Sequence, residues 1–107
     1  MDKKQLSSLE IEQKLQGLDN WVLEAISKSI CKEWEFESFK TAMRFIVSVG
    51  DIAEKLNHHP EFVSVYTKVQ IRLTTHDSSG LTNKDFNLAT EIDQLVERDF
   101  RNVAKNR

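Results

Sequence analysis

The chain contains three histidines, His58, His59 and His76, and no others. They occupy two short segments, EKLNHHP and THDSSG, and a third segment, LTNKD, follows with Asp85. Imidazole, with an ordinary pKa of about 6.5, can both give and take a proton near neutral pH, so the cluster suggests general acid–base chemistry. For a single histidine a surface or capping role is the plain alternative. His58, for example, stands just past an expected helix end, where the macrodipole favours an imidazolium. Three of them at element junctions weigh toward a site, because a rigid scaffold presents reactive groups there.

Other chemistries fit less well. Three histidines with Asp77 or Asp85 could in principle bind zinc. However, His58 and His59 are adjacent in an extended segment before Pro60, which turns their side chains apart, and neither HExxH nor CxxC occurs. The lone cysteine, Cys31, lies in the strand-like run SICKEWEF without a Gly-rich turn or a neighbouring histidine, so it reads as structural rather than nucleophilic. Glu54 is four residues before His58, within reach of an imidazole nitrogen from the last helical turn. Asp85 fits the first turn of a helix, facing free backbone N–H groups, and can serve the site as well. Tyr66 reads equally as a sheet-surface aromatic or a pocket wall.

These residues need elements to hold them. Ser7 and Glu10 have capping-box spacing ahead of a helix over 8–16, with Leu9, Ile11, Leu15 and Leu18 as a partial apolar stripe and Gly17 as its stop. Residues 20–36 alternate as two strands, with Ser27-Lys28-Ser29 as the turn. The spacing of Phe39, Ala42, Met43, Ile46, Val49, Ala53 and Leu56 predicts a helix over 38–56, capped by Ser38 and ended near Asn57 by the conformational bias ahead of Pro60. Residues 62–75 return to strand. Val63, Val65, Thr67, Val69, Ile71 and Leu73 share one parity, and the run is either one strand or two with a break near Thr67-Lys68. A last helix over 83–103 opens with the Thr82–Asp85 capping pair and buries Phe86, Ala89, Ile92, Leu95, Val96, Phe100 and Val103. The economical packing is a small antiparallel sheet with helices on one side.

A chain of 107 residues fits one domain. With 39% hydrophobic and 30% charged residues it can build one core without disulfides or metal. The net charge of −2 leaves no basic footprint for nucleic acid. Its only basic clusters, Lys3-Lys4 and Arg98, Arg101, Lys105 and Arg107, are diluted by acidic neighbours. No run approaches membrane-spanning length and the start lacks an apolar signal core, so a cytoplasmic protein is expected, consistent with one unpaired thiol.

Taken together, the spacings resemble a known pattern. Glu54-Lys55-Leu56-Asn57-His58-His59-Pro60 is followed after five residues by Tyr66, after nine more by His76 and after eight more by Asp85. This is similar to the signature of the pterin-4a-carbinolamine dehydratases, E/D-K-x-x-H-H/N-P with a downstream aromatic, His and Asp. Gly80-Leu81-Thr82, FKTAMRF and NLATEIDQL extend the likeness to about 80 of the 107 residues. The resemblance implies an α+β fold of two layers, a four-stranded antiparallel sheet with three helices on one side in the order α-β-β-α-β-β-α. It thereby splits residues 62–75 into two strands.

For function, the resemblance implies removal of water from 4a-hydroxytetrahydrobiopterin, the adduct left by aromatic amino acid hydroxylases, to give quinonoid dihydropterin. That elimination needs an acid for the departing hydroxyl and a base for the N5 proton, and neither metal nor cofactor. His58 and His76 would be the acid–base pair, in either assignment, and His59 would orient the pterin or share the base role. Glu54, Pro60, Thr75, Asp77, Ser78, Asp85 and Trp21 would bind substrate. Animal members often have Cys where Ser78 stands, and a serine can still hydrogen-bond. Their role as dimerisation cofactors of a homeodomain transcription factor depends on a helix surface that no motif here marks, and it is not carried over. A homodimer or homotetramer and a functional link to a hydroxylase are implied, with no nucleic-acid or membrane partner. A non-catalytic binding module of the same fold would not need all three histidines. An unrelated histidine hydrolase or metal protein would not explain the four blocks.

Overall fold

Short polar side chains start each of the three helices. In α1 (Ser8–Gln16), Glu10 N–H donates to Ser7 Oγ at 3.2 Å and Ser7 N–H donates to Glu10 Oε1 at 2.9 Å, completing the expected capping box. In α2 (Phe39–Leu56), Thr41 N–H donates to Ser38 Oγ at 3.1 Å. In α3 (Asn83–Asp99), Thr82 and Asp85 form a second capping box. The computed structural model describes residues 4–106. Lys3, Arg107 and the side chain of Lys105, counted above among the basic clusters, lie outside the described part. Arg98 and Arg101 pair with Asp99 and Glu97, so these charges are balanced locally.

The strands are β1 (Val22–Glu24), β2 (Ser29–Phe36), β3 (Glu61–Val65), β4 (Lys68–Leu73) and β5 (Ala104–Asn106). The first four form an antiparallel sheet in the order β1-β2-β4-β3. β5 pairs with the C-terminal half of β2, on the edge whose N-terminal half β1 occupies. The chain is thus α+β, with three helices and a four-stranded antiparallel sheet extended by one short strand. One sheet face, carrying Ile30, Trp34, Val69, Ile71 and Leu73, packs against Ala42, Phe45 and Val49 of α2 and Leu88, Ala89, Ile92 and Leu95 of α3. Ile11 and Leu15 of α1 are partly buried against the same core. No helix among the described residues is long and apolar enough to cross a membrane.

Several sequence expectations are corrected. Val63 and Val65 do not share the core face with Val69, Ile71 and Leu73: they oppose Gln70 and Lys68 and are exposed. The two-residue link Tyr66-Thr67 pairs odd positions with even ones across the hairpin, so the parity of one strand does not continue into the next. The first hairpin turns over 25–28 rather than 27–29, with Ser29 already in β2. The last helix stops at Asp99, not Val103. Phe100 leaves helical geometry (φ −130°), yet it stays buried against Phe36 and Phe45, so its place in the apolar stripe hid the break. Leu9, Phe39 and Leu56 are exposed to solvent over a third or more of their surface, whereas Phe45 and Leu88, outside the expected stripes, are fully buried.

Candidate active site

The site starts at the end of α2. Asn57 takes the left-handed conformation (φ 54°), which Asn tolerates better than most residues. The reversal sends the next two side chains to different partners. His58 is buried, with Nε2 2.6 Å from Asp85 Oδ1. His59 stays in solvent, with Nε2 2.6 Å from Glu54 Oε1. The expectation that Glu54 would reach His58 by i,i+4 spacing is therefore corrected: its partner is His59. Helical spacing ceases to apply past Asn57.

The opposite wall comes from the far end of β4. Thr74 Oγ1 donates to Lys28 O at 2.7 Å, and Thr75 is buried. A one-turn 3-10 helix, His76–Ser78, follows, and Ser79 reverses the chain in the left-handed region (φ 54°). Thr75 N–H donates to Gly80 O at 3.2 Å and closes the loop, which fixes His76 at its exposed start. No hydrogen bond to the His76 ring is present among the described residues.

Behind both walls lies Asp85, with no exposed surface. Its Oδ2 accepts from Thr75 Oγ1 at 2.8 Å and from Thr82 N–H at 3.0 Å. The hydroxyls of Thr75 and Thr82 are 2.8 Å apart, and Thr82 Oγ1 accepts from Lys84 N–H at 3.2 Å. A buried carboxylate is tolerable here because each oxygen has a polar partner and the helix N-terminus contributes partial positive charge.

Between the walls is a cleft of about 370 Å³ lined by Asn57, His58, His59, Thr74, Thr75, His76, Asp77 and Lys84. The fold thus brings all three histidines to one cavity from two junctions. Of the residues expected to bind substrate, Thr75 and Asp77 are on the wall. Glu54 stands behind His59, and Pro60 and Ser78 are chain neighbours of the lining without belonging to it. Asp85, also expected to bind substrate, is fully buried behind the wall and is not among the residues that line the cavity.

Trp21, the last of the residues expected to bind substrate, does not line this cleft. Its Nε1–H donates to both carboxylate oxygens of Asp93 at 3.1 Å. Lys32 pairs with the same carboxylate at 3.0 Å, and that pair lines a separate cleft of about 340 Å³ with Gly17, Leu18 and Gln94. The pairing of β1 with β2 sets Trp21 beside Lys32 of this cluster. Sequence reasoning missed Asn57, Thr74 and Lys84 as lining residues. Lys84 was visible inside LTNKD, next to Asp85, but nothing in a helix start shows which way its side chain faces.

Among the described residues, no group of three or more His, Cys, Asp or Glu side chains is arranged to hold a metal ion. The cleft lining offers three imidazoles, two hydroxyls, one amide, one carboxylate and one ammonium group.

The model of the family described as Pterin 4 alpha carbinolamine dehydratase matches residues 4–95. A Sinorhizobium medicae protein with the provisional name pterin-4-alpha-carbinolamine dehydratase is 43% identical over 97 residues, 91% of this chain and 92% of the relative. A Roseiflexus protein of the same provisional name is 43% identical over 91 residues, 85% of this chain and 96% of its own. A crystal structure from Brucella melitensis, described as a transcriptional coactivator/pterin dehydratase, aligns with a TM-score of 0.82 at 32% identity, covering 86% of this chain and 98% of that one. The family model spans most of the sequence and relatives 43% identical cover most of both chains, so the chain belongs to the pterin 4 alpha carbinolamine dehydratase family.

Proposed function

We propose that this chain dehydrates a 4a-hydroxytetrahydropterin to the quinonoid dihydropterin, with His58 and His76 as the acid–base pair. The family membership supports the pterin dehydratase reading. The observation that carries the catalytic assignment is the convergence of His58, His59 and His76 on one small cleft. Its volume of about 370 Å³ lies at the small end of the range for small-molecule sites, which suits a bicyclic ring.

In the reaction one group removes the N5 proton while another protonates the 4a-hydroxyl. The C4a–O bond breaks, its electrons leave with oxygen as water, and the N5 electrons form the new C=N bond. Both proton transfers lie within the reach of imidazole near neutral pH. His58 and His76 approach from the α2 end and the β4 end, so they can serve opposite parts of one ring. His59, held by Glu54, orients it. Thr75 and Asp77 supply hydrogen-bonding groups to the heterocycle. The reading places the chain in recycling of a pterin cofactor used by a hydroxylase, in the cytoplasm and as a homo-oligomer.

The test is stopped-flow dehydration of freshly generated 4a-hydroxypterin, followed by ultraviolet absorbance. His58→Ala and His76→Ala should each lose about 10²–10⁴-fold in kcat. A double variant as fast as wild type would refute the assignment.

A further inference from the structure

The hydrogen-bond directions behind the cleft determine which nitrogen of His58 can do chemistry. A carboxylate only accepts, so the single Thr75 hydroxyl hydrogen goes to Asp85 Oδ2 at 2.8 Å. The contact between Thr75 Oγ1 and Thr82 Oγ1, 2.8 Å, must then be donated by Thr82. Thr82 Oγ1 in turn accepts Lys84 N–H. Every hydrogen in this chain points toward Asp85, from the first turn of α3 inward. Thr82 N–H adds a further donor to Oδ2 at 3.0 Å. Oδ2 is filled by donors beside the helix N-terminus, which leaves Oδ1 of the carboxylate to accept from His58 Nε2 at 2.6 Å.

We infer that Asp85, oriented by Thr75 and Thr82, is a positioning residue that locks neutral His58 in the Nε2–H tautomer, so that His58 exchanges its proton with substrate through Nδ1. The hydrogen bond at one ring nitrogen sets the state of the other. Asp85 itself never touches substrate, because it has no exposed surface. When Nδ1 takes up a proton, the imidazolium is held against the buried carboxylate. His59 has no comparable lock, because its partner Glu54 is an exposed side chain. The inference rests on the proposed acid–base role of His58 and adds the atom and the device that prepares it.

The test has a spectroscopic and a kinetic arm. Protein labelled with ¹⁵N in histidine is examined by long-range ¹H–¹⁵N correlation at a pH where the His58 ring is neutral. The wild type should show His58 protonated at Nε2 and bare at Nδ1. Asp85→Asn should admit the other tautomer and lower kcat about 10²–10⁴-fold, with KM little changed. Thr75→Val, which removes the hydroxyl donated to Asp85, should admit the other tautomer in the same spectrum and lose about tenfold or more in kcat. If Asp85→Asn fails to fold, the wild-type spectrum and that of Thr75→Val decide. A wild-type ring bare at Nε2 overturns the inference, as does a Thr75→Val enzyme with undiminished kcat. The spectrum reads the tautomer whether or not the chain turns over, so its failure is distinguishable from failure of the dehydratase reading.

Discussion

His58 and His59 are adjacent and chemically identical, yet their surroundings set different roles. The His58 side chain is 10% exposed and bonded to a carboxylate with no exposure, whereas His59 and Glu54 are 58% and 78% exposed. Solvent screening leaves the outer pair worth about 0–1 kcal/mol, enough to bias a ring but not to fix it. The inner contact is charge-assisted and shielded from water, so it fixes both ring and tautomer. Cys31 shows the same dependence on surroundings. Burial, reinforced by the nearby Glu24 carboxylate, pushes its thiol above the ordinary value. The native chain should therefore react slowly with a thiol reagent at pH 8, accelerating in more alkaline buffer and on unfolding in urea. Equal native and unfolded rates at pH 8 would contradict this.

At the scale of elements, the caps decide where the site lies. Asn57 ends α2 at the point that directs His58 inward, and the Thr82–Asp85 capping box both starts α3 and supplies the carboxylate behind His58. One side chain thus serves helix initiation and the site together. The capping box of α1 gives a separate test. The Ser7 backbone N–H, with its hydroxyl, stabilises ionised Glu10 and lowers its pKa below the ordinary carboxyl value. A lowered folded-state pKa adds stability above the unfolded-state pKa, and that increment disappears as pH falls through the folded-state value. Glu10→Gln, which preserves the capping geometry, should melt below wild type at pH 7, and the two curves should converge in acid. A gap that persists unchanged at pH 2–3 would argue against a charge-based contribution.

At the scale of the molecule, one aromatic cluster ties the layers together. Phe45 of α2 lies with ring centroids 5.0 Å from Trp34, 4.8 Å from Phe36 and 5.5 Å from Phe100. It therefore joins α2 to β2 and to the segment that follows α3. Phe45→Ala should cost about 3–5 kcal/mol by urea unfolding, through lost burial and the cavity left behind. Phe39→Ala, on the same helix but half exposed, should cost no more than about 0.5 kcal/mol. Similar losses for the two would mean that this cluster does not organise the core.

Local pattern was enough for the start of each helix, for the strand segments ahead of α3, for the caps at Ser7, Ser38 and Thr82, and for the short list of reactive side chains. These are local properties: hydrophobic period, capping chemistry and the backbone bias before Pro60 act over a few residues and can be read from a few residues. The spacing of the four motif blocks also carried the resemblance on which the split of residues 62–75 depended. Contacts made across the fold are what pair Glu54 with His59, Asp85 with His58 across 27 positions, and Trp21 with Asp93. They also turn Val63 away from the core and add the residues after Phe100 to β2. Each of these depends on where a reversal of the chain sends the next side chain, and on which distant element packs there, so no local pattern contains it.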